Sequence, residues 1–292
     1  MNYHGDVIRP PSEAASLILQ VMYGCSHGDC SFCGSYLDKP FRVRPFVDVE
    51  RDVRELPAYT KDRVDRVFLC DGDALALPAR RMVELLDLLS VELPNVRRVS
   101  AYANAHSLLR LSTEELREIR AHGLELLYLG LESGDEQTLA EVSKGVTVGQ
   151  QIEACRKAKD VGFALSVTAI LGLAGVARSA EHASATGGAL SAIDPEYIGI
   201  LSLMLEPETH MAKRALRGDF VMPTPLGLLL ELRQMIAALA VTRAVFRTNH
   251  ASNYLPLRGT LPRDKEALLH VLDQILATGE AARLKPESLR AL

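Results

Sequence analysis

Little in this sequence points to a membrane, an export route or a polyanionic partner. The first residues, MNYHGDVIRPPSEA, lack both the basic and the apolar region of a signal peptide, so the cytoplasm is the expected compartment. The most apolar stretch, Leu226 to Val241, is interrupted by Glu231, Arg233 and Gln234. It is too broken to span a bilayer and reads as a packed helix. A net charge of −4 gives no general attraction to nucleic acid or to an anionic membrane, although a local basic groove stays possible. Low-complexity segments and short internal repeats are lacking. Cysteine is scarce, at five residues, and without a secretion signal these argue against a disulfide framework and for metal or redox chemistry.

What is present is an ordinary globular composition, 48% hydrophobic and 24% charged, in 292 residues. That length suits one α/β barrel-like domain or two small ones. Short apolar runs at Ser16–Tyr23, Arg66–Cys70, Arg98–Ala103, Leu126–Leu131, Phe163–Leu171 and Tyr197–Leu205 alternate with helical patterns. Most are almost uniformly apolar, as parallel strands covered on both faces must be. Helix punctuation is clear: Ser112 and Glu115 form a capping box with Gly123 as a stop, Thr147 and Gln150 open a helix that Gly162 closes, and Thr224-Pro225 suits an N-cap and first helical position. Six strand–crossover units predict an α/β fold, a (β/α)6 partial TIM barrel. Expected divisions are an N-terminal segment (1–15), the barrel core (16–205) and a mainly helical C-terminal extension (206–292) packed on the same domain. Chemistry in such folds sits at the C-terminal ends of the strands.

Strand one runs straight into Tyr23-Gly24-Cys25-Ser26-His27-Gly28-Asp29-Cys30-Ser31-Phe32-Cys33-Gly34. Cys25, Cys30 and Cys33 can wrap one compact metal centre. Three thiolates leave one iron of a [4Fe–4S] cube without a protein ligand and open to a chelating substrate. The same residues also suit zinc, with His27 or Cys70 as a fourth ligand.

The loop resembles the signature of the radical S-adenosylmethionine (SAM) superfamily, here with four and then two intervening residues in place of the usual three and two. That resemblance implies that the open iron is chelated by the amino and carboxylate groups of SAM, with Phe32 in the loop beside the cofactor. Asp71-Gly72-Asp73 after strand two is similar to the family's Gly-Gly-Glu-like turn, which receives the methionine ammonium. Gly130-Leu131-Glu132-Ser133-Gly134 after strand four resembles the Elongator-3/methylthiotransferase/HemN-like branch and implies that Glu132 and Ser133 lie near the ribose or methionine portion. Ser166 to Gly175 is similar to the family's Gly-x-Ile-x-Gly-x-x-Glu adenine segment. It puts Ser166, Ile170 and Gly172 at the cofactor, while Thr168 and Gly175 depart from the pattern's two ends.

The activity this implies is reductive cleavage of SAM to methionine and a 5′-deoxyadenosyl radical that takes hydrogen from a small-molecule or peptide substrate. A flavodoxin- or ferredoxin-like electron donor is implied as well. A non-enzymatic iron–sulfur or zinc protein on a barrel scaffold is one alternative; a tRNA-modifying radical enzyme is another, set back by the acidic balance and the absence of an RNA-binding domain. Cys70 adjoins the acidic turn, and Cys155 reads as helix packing. Arg42 and Arg44 suit either the SAM carboxylate or a solvated face. Asn104, His106, Ser202 and Met204 are candidates for the barrel interior, and Arg247 to Tyr254 reads equally as a loop over the substrate or as a polar turn.

Overall fold

The computed structural model describes residues 1–279 and 284–291. In chain order the strands are β1 (Leu17–Gln20), β2 (Met22–Tyr23), β3 (Arg42–Val43), β4 (Arg66–Cys70) and β5 (Arg98–Ala103). Then come β6 (Leu124–Glu132), β7 (Ala164–Leu171), β8 (Tyr197–Ser202), β9 (Ala244–Arg247) and β10 (Arg258–Leu261). The helices are α1 (Phe46–Arg54), α2 (Ala58–Lys61), α3 (Ala79–Glu92), α4 (Ala105–Arg110), α5 (Thr113–Ala121) and α6 (Glu136–Glu141). They continue as α7 (Val148–Asp160), α8 (Ser179–Ile193), α9 (His210–Arg217), α10 (Pro225–Ala238) and α11 (Lys265–Thr278).

The chain folds as two compact units. The first comprises residues 1–28, 35–129 and 153–165. Its strands run β1-β4-β5-β6, all parallel, with Gln20 opposite Cys70 and Ala103 opposite Leu129. The expected first strand is broken: β1 ends at Gln20, and Met22–Tyr23 turns away to pair antiparallel with β3. Arg44 fills the gap, its Nη1 donating to the Gln20 carbonyl at 2.7 Å. Phe68, Cys70, Leu126 and Tyr128 form an apolar cluster with Ile18, Tyr102 and Ala164 packed on it. Phe68 meets Tyr102 and Tyr128 edge-on, at 4.9 and 5.6 Å between centroids. At the N-terminal ends of the strands a fully buried carboxylate, Glu13, accepts from Tyr128 Oη at 2.6 Å and from Arg98 Nη2 at 2.9 Å. A buried charge persists only when paired in this way. On α7, the Lys157 ammonium reaches the last turn of α4, donating to the carbonyls of Leu108 at 3.1 Å, Leu109 at 3.3 Å and Leu111.

The second unit comprises residues 29–34, 130–152 and 166–292. Here β7, β8 and β9 run parallel and β10 returns antiparallel to β9. Val142, Leu173, Leu203, Met211 and Phe220 are its core, joined by Phe32, Ile170 and Met222. Helix α10 lies tight on α8: a Cβ on Gly187 would fall 2.6 Å from Ala238 Cβ and 2.7 Å from the Met235 carbonyl. Glycine at that crossing lets the two helices close.

All six expected strands are present, and β4 and β5 start and stop where the sequence placed them. Ser112 and Glu115 make their reciprocal capping box, Thr147 and Gln150 exchange hydrogen bonds, and Thr224 caps α10. Gly123 and Gly162 have φ of +108° and +95°, the left-handed geometry that ends a helix. The region from 206 onward is mainly helical but also contains β9 and β10, which the apolar pattern did not announce: each is four residues long. Among the described residues, no helix is long and apolar enough to cross a membrane.

Candidate active site

In the first unit, Cys25 sits two residues beyond the end of β2, against the residues that leave β4. The Gly72 amide donates to the Gly24 carbonyl at 2.9 Å. A Cβ on Gly72 would lie 2.4 Å from Cys25 Cβ and 2.7 Å from its Sγ. Only a bare backbone fits beside this cysteine. Gly24, at φ +70°, is held as closely: a side chain there would strike the Lys39 carbonyl at 2.1 Å.

Asp71 and Asp73 flank Gly72 and both are wholly buried. Asp71 adopts φ +66°, accepts from Gln20 Nε2 at 2.8 Å and faces the buried Lys39 ammonium at 3.5 Å. Burial raises its carboxyl above the usual range, and Gln20 and Lys39 pull part of the way back. Asp73 accepts from Ser26 Oγ and Ser107 Oγ, each at 2.6 Å, and from the Asn104 amide at 3.3 Å. Burial pushes Asp73 up to about 6 despite these donors. Asn104 caps α4 and also donates through Nδ2 to Ser26 Oγ at 2.8 Å. The residue after Cys25 is therefore clamped to the ends of β4 and β5. Beside the clamp lies a pocket of about 360 Å³ bounded by Ser26, His27, Phe41, Val43, His106 and Arg110. Arg44 is committed to Gln20 and to Asp52 at 3.0 Å, and Arg42 stacks over Tyr23 at 5.0 Å.

In the second unit, Cys33 N donates to the Cys30 carbonyl at 3.1 Å, and Ser31 is pinned by Val142 O and Met211 N at 2.9 Å each. Phe32 packs in the same apolar cluster as Ile170. Glu132, at φ +61°, ion-pairs with Lys144 at 2.9 Å. Ser133 is buried, its Oγ 2.7 Å from His182 Nδ1. His182 Nε2 donates to Ile170 O at 3.1 Å, and Gly172 N donates to Glu231 Oε1 at 2.6 Å. Gly172 itself has φ +80° and abuts Met222 and Leu228. Ser166 stands apart, four residues before Ile170 and opposite Tyr197. The Arg247–Tyr254 segment spends its polar groups on its own unit. Ser252 Oγ accepts from Ser202 N at 3.1 Å, and Asn253 accepts from Ser202 Oγ at 2.7 Å while donating to Ile200 O at 2.6 Å.

Sequence reading missed His182, Glu231, Lys39, Lys144 and Gln20. Only Glu231 carried a signal, as an acid inside an apolar helical run.

Cys25, Cys30 and Cys33 are partly exposed thiols outside any disulfide, whereas Cys70 and Cys155 are buried. Burial pushes the Cys70 thiol far up and that of Cys155 up to about 12, which keeps both protonated. Among the described residues no three His, Cys, Asp or Glu side chains are gathered tightly enough to chelate one ion. The fit of a cluster therefore rests on the donor set, three accessible thiols within nine residues, and on the side-chain-free cradle that Gly72 makes beside Cys25. Both suit an iron–sulfur group.

Residues 19–183 match the radical SAM superfamily model. The heme chaperone HemW of Bacillus subtilis (strain 168) is 24% identical over 159 residues, 54% of this chain and 41% of HemW. A putative methylthiotransferase of Methanocaldococcus jannaschii is 23% identical over 172 residues, 54% of this chain and 35% of that protein. The chain thus spans less than half the length of these curated relatives. Among solved structures, Escherichia coli coproporphyrinogen III oxidase (HemN), a radical SAM enzyme, superposes with a TM-score of 0.60 at 18% identity, over 76% of this chain and 51% of HemN. The radical SAM methyltransferase TsrM of Kitasatospora setae, solved with cobalamin and a [4Fe–4S] cluster, gives 0.56 at 16% identity, over 88% of this chain and 52% of TsrM. These likenesses give the fold as that of the partial TIM barrels. With its cysteine loop inside a family match covering more than half its length, the chain belongs to the radical SAM superfamily, enzymes that bind a [4Fe–4S] cluster and SAM.

Proposed function

We propose that this protein is a radical SAM enzyme acting in the cytoplasm on a small-molecule or peptide substrate, with reducing equivalents from a flavodoxin- or ferredoxin-like donor. The chemistry supplied by the bound cluster and SAM is reductive cleavage to methionine and a 5′-deoxyadenosyl radical, which takes a hydrogen atom from the substrate. The observation that carries the reading is the cradle at Gly72: its backbone lies so close to Cys25 that any side chain would displace that cysteine.

The chain's own residues divide the work. Cys25, Cys30 and Cys33 hold the cluster. Ser26, tied by Asp73 and Asn104, fixes the loop just after its first ligand. Both carboxylates of the acidic turn are engaged inside the chain. The turn therefore receives the methionine ammonium through backbone oxygens, with Asp71 and Asp73 shaping it rather than touching the ligand. Glu132, steadied by Lys144, faces the ribose hydroxyls, and Ile170 with Phe32 offers an apolar face to the adenine beside the close backbone of Gly172.

The test is anaerobic reconstitution with iron and sulfide, reduction with dithionite, addition of SAM, and chromatographic detection of 5′-deoxyadenosine. Slow release of 5′-deoxyadenosine without added substrate is the expected result. A protein that holds about four irons and binds SAM, yet never yields 5′-deoxyadenosine with any reductant, overturns the reading. One zinc per chain and no brown colour does so as well.

A further inference from the structure

Deep in the second unit, five polar side chains, Ser133, His182, Thr186, Glu231 and Ser179, form a connected cluster that no step of the chemistry uses. Ser133 follows β6, Ile170 is the penultimate residue of β7, and Gly172 lies just beyond that strand. Behind them, on the side of the covering helices, His182 of α8 and Glu231 of α10 are both fully buried. Ile170 O can only accept, so His182 carries its proton on Nε2. Its Nδ1 is then an acceptor, and Ser133 Oγ must donate to it across 2.7 Å. Ser133 Oγ in turn accepts from the Asp135 amide at 2.9 Å. Each bond fixes the direction of the next.

Glu231 completes the chain. Its Oε1 accepts from the Gly172 amide at 2.6 Å and lies 3.5 Å from His182 Nε2, while Oε2 takes the Ser179 hydroxyl. Gly172 stands at φ +80° and Gly175 at φ +63°, so the segment after β7 makes left-handed turns that no strand ladder supports. An amide in such a turn, if buried and unpaired, is expensive. Burial holds His182 neutral, down at about 4, and lifts Glu231 to about 7, consistent with a desolvated brace.

We infer that His182 and Glu231 are positioning residues for SAM, fixing the ends of β6 and β7 from behind so that Ser133, Ile170 and Gly172 hold one geometry. The inference rests on the proposed placement of SAM against those strand ends. It makes α10, from the C-terminal region, a determinant of cofactor affinity without touching the cofactor.

The experiment measures SAM affinity of the reconstituted, unreduced holoprotein by equilibrium dialysis, with iron content and melting temperature recorded for every variant. Glu231→Leu removes the acceptor for Gly172, and His182→Phe removes the bonds to Ser133, Ile170 and Thr186. Each is expected to weaken SAM binding about tenfold or more while iron content stays at the wild-type level. Glu231→Gln keeps an acceptor at Oε1 and is expected to stay within about threefold of wild type; a role limited to filling space would not predict the gap between the leucine and glutamine variants. If Glu231→Leu does not fold, Ser179→Ala takes its place, freeing one carboxylate oxygen without emptying the core, with an expected loss of about threefold. Wild-type affinity in Glu231→Leu and His182→Phe, or equal losses in the leucine and glutamine variants, overturns the inference. Ile170→Ala separates this from failure of the underlying reading. If Ile170→Ala weakens SAM binding while the brace variants do not, the brace idea alone falls. If Ile170→Ala binds SAM as the wild type does, the placement of SAM at β7 falls, and the brace with it.

Discussion

Replacing Gly72 by alanine should separate folding from cluster binding. The added carbon would lie 2.4 Å from Cys25 Cβ and 2.7 Å from both its Cα and Sγ. Ordinary carbon contacts begin near 3.5 Å, so something must move by roughly 1 Å. These neighbours include backbone, and the 2.9 Å bond from the Gly72 amide to Gly24 O ties the two segments together, so no flexible side-chain end can swing aside. Overpacking of this kind costs about 1–3 kcal/mol. A domain with about 5–15 kcal/mol in hand survives that with a melting temperature lower by roughly 2–10 °C. Metal ligands are less forgiving: distances must hold within about 0.2 Å, several times less than the required shift. Ligation should therefore fail before the fold does. The assay is iron and sulfide per chain after anaerobic reconstitution, alongside the visible absorption band and the melting curve. Iron is expected to fall well below half the wild-type content in a protein that is still folded. If Gly72→Ala takes up a full complement of iron and binds SAM as tightly as the wild type, the reasoning from this contact is wrong.

Other outcomes follow from the same geometry. Cys30→Ala and Cys33→Ala should each lose most of the bound iron, whereas Cys155→Ala, whose thiol is buried in α7, should keep it; iron analysis decides. Lys39→Met strands the wholly buried Asp71 without its cation and should cost about 3–5 kcal/mol by urea unfolding, much of it regained in the Lys39→Met/Asp71→Asn double variant. Burial raises Glu231 in the folded protein from 4.5 to about 7. Its stabilising contribution is thus full below about pH 4.5 and disappears as pH climbs through 7. Glu231→Gln should therefore gain on the wild type between pH 5 and 8, by an amount on the order of 3 kcal/mol, read as the difference in urea midpoints. A gap that stays flat across that range would refute the burial argument.

Much of this architecture is written locally, and what escaped is written across distance. The runs Arg66–Cys70 and Arg98–Ala103 are apolar on both faces, which parallel strands covered on two sides require, and both strands stand there. The caps at Ser112 and Thr224 depend on residues three apart, a spacing any reader of the chain can see. Asp73 shows the limit. In sequence it is the acidic end of a ligand-binding turn; in space Ser26, Asn104 and Ser107, 31 or more residues away in the chain, occupy its oxygens. His182 looked like any helical histidine, since its partners lie at the ends of two other elements. The strands β9 and β10 escaped because four residues are too few to establish a period.

Lys157 offers a built-in reporter. Its ammonium serves the carbonyls of Leu108, Leu109 and Leu111, a convergence that three donors on one compact head can meet and a planar guanidinium cannot. While those bonds hold, the amine has no lone pair to offer an acylating reagent. Its acylation rate, read by mass spectrometry, therefore clocks the opening of the junction between α4 and α5. That rate gives a local measure of breathing in the first unit that needs neither iron nor SAM.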